Sequence, residues 1–68
     1  MNEETFNLSI RKFLKMVGVK SQHEIEQAVH KALAQGSISG KDTLPVSMNL
    51  RIGKLKLDVK FDGEISLD

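Results

Sequence analysis

The side chains in this chain best suited to chemistry are two histidines, His23 and His30, with the acids Glu24 and Glu26 beside them. Neutral imidazole and carboxylate are common donors to a divalent metal. On a helix, a spacing of seven residues puts both rings on one face but separates them by about 10.5 Å, while a zinc ligand must come within about 2 Å. Glu26 and His30 have usable i, i+4 spacing, yet two ligands do not make a site. His23-Glu24-Ile25-Glu26-Gln27 begins like the zinc-binding H-E-x-x-H pattern, but Gln27 stands where the second histidine is required. The expectation is a solvated helix face with no metal site.

Nucleophilic and phosphate chemistry fare no better. Six serines (Ser9, Ser21, Ser37, Ser39, Ser47 and Ser66) lack a histidine and an acid placed by any nucleophile motif. Gly36-Ser37-Ile38-Ser39-Gly40 is glycine-rich, but no strand precedes it and no Gly-Lys-Ser/Thr follows, so it is not a phosphate loop. No catalytic residue, no cofactor and no enzymatic activity are expected.

The cations form two groups. Arg11, Lys12 and Lys15 share the outer face of an N-terminal helix around Leu8, and Arg51, Lys54, Lys56 and Lys60 fall on the polar face or turn of a later sheet. They are the candidate contacts for an anionic partner. Sheets that hold single-stranded nucleic acid add aromatic platforms, whereas all three phenylalanines here are assigned to the core. Phe13 to Gln22 resembles the turn of a DNA-binding helix-turn-helix. Against it, Ile25 arrives one position late, no third helix follows, and Glu24 and Glu26 would face the phosphates.

Two helices and a sheet must position these residues. Asn2 suits an N-cap, with Glu3 and Glu4 where they complement the helix dipole. Phe6, Ile10, Phe13, Leu14 and Val17 then form an apolar stripe, which predicts a helix over 3–17 ended by Gly18 as a left-handed C′ residue. Ser21-Gln22-His23-Glu24 reads as a capping box opening a second helix over 22–35, with Ile25, Ala28, Val29, Ala32 and Leu33 inward and Gly36 as its stop. The short link between them implies a helix hairpin, followed by a loop over 36–44. From Pro45 the period becomes two. Strands over 45–52 and 55–61 meet in a two-residue turn at Gly53-Lys54, setting Ile52 opposite Leu55 and Val46 opposite Phe61. Asp62-Gly63 predicts a second turn, with an extra loop residue or bulge that brings a third strand, 64–68, into register. The expected fold is α+β: a two-helix hairpin, then a three-stranded antiparallel meander, with both helices packed on one sheet face in a single domain.

Size and charge bound the function. Sixty-eight residues without cysteine lie near the lower limit for a self-sufficient core. The polar, acidic N-terminus is unlike a secretory signal and no stretch approaches a membrane span, so a cytoplasmic protein with no membrane contact is expected. Residues 1–43 carry six Lys/Arg and five Asp/Glu, residues 44–68 four and four. So even a balance is unlike a dedicated nucleic-acid binder.

Asn2 through Lys15, continuing through Val17-Gly18-Val19 and Ser21 to Glu26, with Thr43-Leu44-Pro45, resembles a family of short bacterial proteins of unknown function. The resemblance covers most of the chain. It implies a bacterial cytosolic origin and supplies no activity, cofactor or binding residue. The reading is therefore a non-enzymatic protein-interaction module that self-associates through a sheet edge as a homodimer, its other protein partners unnamed. The alternative is a weak nucleic-acid binder using one of the basic faces. Should the apolar faces of the isolated chain stay wet, a ligand groove or a companion chain would have to cover them.

Overall fold

A computed structural model describes residues Met1–Asp68. The elements are one helix, α1 (Glu3–Gln35), and two strands, β1 (Thr43–Ile52) and β2 (Leu57–Ser66), joined through a 3-10 turn at Gly53–Leu55. The chain divides into two compact units, Met1–Ser37 and Ile38–Asp68.

The helical unit starts and stops where local chemistry demands. The Asn2 side chain accepts from the Thr5 backbone N–H at 3.1 Å, and Glu3 and Glu4 occupy the first turn. At the far end Gly36 takes a left-handed φ of 73°. Its N–H reaches the Leu33 carbonyl at 3.1 Å, while the Ser37 N–H reaches that of Ala32 at 3.0 Å. This is the Schellman pattern, and it satisfies carbonyls that the last turn would otherwise leave bare.

Between those ends the helix is unbroken for 33 residues, which overturns the expected helix hairpin. Gly18 is not a C′ residue and has no positive φ, and Ser21 lies in mid-helix, so no capping box forms with Glu24. An interior glycine costs about 1 kcal/mol relative to alanine. A break there would strand up to four carbonyls and four N–H groups at the new ends, and helices of 14 or 15 residues are marginal alone. Only the burial of two facing stripes could repay a break. The stripes do not line up: at about 100° per residue, the group Phe6 to Val17 and the group Ile25 to Leu33 centre about 80° apart on one continuous helix. Gly18 and the Ser21 to Glu24 pattern, not the stripes, are what make the sequence look like two helices.

The second unit is a two-stranded antiparallel hairpin, not a three-stranded meander. Ile52 faces Leu57, Leu50 faces Val59, Met48 faces Phe61, Val46 faces Gly63 and Leu44 faces Ile65. The turn therefore spans four residues, with Lys56 left-handed at φ 53° and its N–H on the Gly53 carbonyl at 3.1 Å. A two-residue turn at Gly53-Lys54 does not occur. The register slips by two, which keeps the other apolar residues of the strands on their expected face, moves Leu55 from its expected place opposite Ile52 into the turn, and extends the ladder to Thr43 and Ser66. Asp62-Gly63 stays extended because Ser47 and Val46 face it across the ladder. With no second turn there is no third strand and no bulge. Ile65 joins the face of Phe61 simply by lying four residues along the same strand.

No residue in either unit is buried. The three phenylalanines assigned to a core are exposed, Phe6 at 46%, Phe13 at 50% and Phe61 at 57%. With a single helix, the expected layer of two packed helices does not exist.

Candidate functional site

The hairpin has two distinct faces and two open edges. On one face lie Leu44, Val46, Met48, Leu50 and Ile52 from β1, with Leu57, Val59, Phe61, Gly63 and Ile65 from β2, as strand alternation requires. Leu44, Val46, Leu50, Leu57 and Ile65 are half-buried, and Met48, Ile52, Val59 and Phe61 are exposed. Gly63 leaves a gap in this surface; a side-chain carbon placed there would meet only Val46 Cγ1, at 3.7 Å.

The opposite face is charged and internally paired. Arg51 Nε lies 3.5 Å from Asp58 Oδ2, its cross-strand neighbour, and Lys60 Nζ lies 3.5 Å from Asp62 Oδ1. Both pairs are well exposed, so they contribute little stability. They do change the electrostatics, because two of the four sheet-side cations already have a carboxylate beside them. Lys54 and Lys56 sit in the turn.

The edges follow from the ladder's alternation. The Leu67 N–H donates to the Asp42 carbonyl at 3.1 Å, so the Asp42–Leu67 pair turns its backbone inward. In an antiparallel ladder, inward and outward pairs alternate. Thr43, Pro45, Ser47, Asn49 and Arg51 therefore turn their backbone groups out along the free edge of β1. Asp58, Lys60, Asp62, Glu64 and Ser66 do so along the free edge of β2. Pro45 has no N–H, so the β1 edge has a gap in its row of donors, as an edge proline should produce. The β2 edge has none.

On α1, Arg11, Lys12 and Lys15 are exposed and none has an acid within ion-pair distance. They share a unit with one another but not with Arg51, Lys54, Lys56 and Lys60. His23 and His30 are exposed on the same helix, and no group of three or more His, Cys, Asp or Glu gathers as a metal set. The turn that the helix-turn-helix comparison needs at Gly18 is helical. Depressions on α1, one lined by Ser9, Lys12, Phe13 and Met16 and another by Val19, Lys20, His23 and Glu24, are grooves between side chains of a single helix. No helix is long and apolar enough to cross a membrane.

Sequence reasoning expected a free sheet edge but not its run from Leu57 to Ser66, because Asp62-Gly63 reads as a turn. A signal was present: Leu57, Val59, Phe61, Gly63 and Ile65 hold a period of two straight through that dipeptide.

What these observations define is a small α+β chain of one long helix and one β-hairpin whose apolar side chains stay accessible to other molecules. The chain belongs to the family described as "Family of unknown function (DUF6494)", whose model matches residues 1–68. No curated protein and no solved structure matches it.

Proposed function

We propose that this protein is a small, non-enzymatic interaction module that completes its fold by self-association. The observation that carries this reading is the absence of any buried residue in a chain that is 40% hydrophobic. Burial of apolar area is the main favourable term in folding, and a two-stranded hairpin alone is at best marginal in water. A second molecule supplies the missing cover. The reading places the protein in a bacterial cytoplasm, in keeping with the family resemblance and the absence of cysteine.

Light scattering at dilute and concentrated protein tests it. A mass that rises to a defined multiple of the chain is expected; a monomer at every concentration overturns the reading. The second reading, weak nucleic-acid binding, draws support from Arg11, Lys12 and Lys15, which have no acid beside them, and loses support on the sheet, where Arg51 and Lys60 do. A gel shift that weakens steeply with salt is its expected signature, and no shift at low salt disposes of it.

A further inference from the structure

We propose that two copies join through β2, edge to edge and antiparallel, about a two-fold axis passing through Asp62; this rests on self-association as read above and specifies its surface.

The choice of edge follows from the donors. Adding a strand requires a continuous outward row of N–H and C=O groups. β2 presents Asp58, Lys60, Asp62, Glu64 and Ser66 without a gap, while β1 loses a donor at Pro45. In a two-fold pairing of β1 that loss would occur twice.

The register follows from the side chains. Outward residues must pair with outward residues, so the two-fold axis passes through a residue, and overlap of the two strands is greatest with the axis at Phe61 or at Asp62. An axis at Phe61 places Lys60 opposite Asp62 of the second copy, twice, but also Asp58 opposite Glu64, twice, so its two opposite-charge pairs are offset by two like-charge pairs directly opposite. An axis at Asp62 places Lys60 opposite Glu64, twice, and Asp58 opposite Ser66. Its one like-charged pair, Asp62 with itself, is eased by Lys60, whose Nζ already lies 3.5 Å from Asp62.

The apolar face agrees with the same axis. Phe61, which is 57% exposed, comes opposite Gly63 of the second copy, where a ring can cover the backbone that glycine leaves bare. Val59 then faces Ile65, and Leu57 faces Leu67. The product is a four-stranded sheet with a continuous apolar side, past the three strands that independent stability requires.

The chain has no cysteine, so introduced thiols give a clean test on the full-length protein. In the Asp62→Cys variant the two α-carbons across the axis would be about 5.5 Å apart, within disulfide range. Mild oxidation is expected to yield a covalent dimer. Asp58→Cys alone should not cross-link, because its two copies are about 27 Å apart along the strands, but mixed with Ser66→Cys chains it should. A charge exchange gives an independent readout: Lys60→Glu or Glu64→Lys alone should weaken the dimer by roughly ten-fold, and the two combined should recover most of it. If light scattering shows a dimer while Asp62→Cys stays uncross-linked, or the charge exchange gives no recovery, this arrangement is wrong and self-association stands. A monomer throughout removes both.

Discussion

Lys56 adopts the left-handed region at φ 53°, where a side chain beyond glycine is disfavoured by about 1 kcal/mol or more. Its backbone N–H closes the turn onto Gly53, so the conformation is imposed by the ladder on either side. Replacing Lys56 with glycine should therefore stabilise the hairpin by about 1 kcal/mol, read as a higher denaturant midpoint or stronger amide protection over β1 and β2. Gly53 provides the matching control. It has no positive φ, and nothing lies within 4 Å of an added carbon, so Gly53→Ala should change stability by no more than a few tenths of a kcal/mol. The two-residue turn that the sequence suggests would give a different result, because a type II′ turn needs glycine first and alanine would strain it. At the helix start the side chain of Asn2 is the only cap on the Thr5 N–H. Asn2→Ala should lower helix content and cost about 1 kcal/mol.

At the scale of elements, Gly18 decides between one helix and two. In an uninterrupted helix Gly18→Ala removes backbone freedom from the unfolded chain and meets nothing within 4 Å, so it should stabilise by about 1 kcal/mol. At a left-handed helix stop the same change would destabilise by a similar amount. The sign of the shift in a circular-dichroism melt is the measurement, and a loss of stability would contradict the continuous helix. The residues that mark ends were legible in the sequence: Asn2, Glu3, Glu4 and Gly36 each stand where local hydrogen bonding requires them. The change of period after Leu44 also marked the strands. What could not be read was which stop signals would be used. Gly18, Ser21 and Asp62-Gly63 are all good local punctuation, and each was overridden by a neighbour in the ladder or by continuing intrahelical bonds. A local signal gives a preference of about 1 kcal/mol, and several backbone hydrogen bonds together exceed it. A sheet edge was expected, but its extent was missed for the same reason, since its centre, Asp62, was read as a turn.

For the whole molecule the question is where a 68-residue chain finds its folding free energy. Neither unit contains a buried side chain, and small domains that lack disulfides or metals commonly rely on association. If folding is completed only on pairing, apparent stability must follow mass action: each tenfold rise in chain concentration should add about 1.4 kcal/mol per dimer. The midpoint of thermal unfolding should accordingly climb with concentration, and at any one concentration lie lower in a Lys60→Glu variant, whose dimer is weakened about ten-fold. A covalently joined Asp62→Cys dimer should instead melt at a concentration-independent midpoint, and at a higher temperature, since its second strand pair is supplied within one molecule. A midpoint that stays fixed from dilute to concentrated wild-type protein would mean that the hairpin and helix are stable without a partner. Their apolar faces would then need a different explanation from the one that self-association provides.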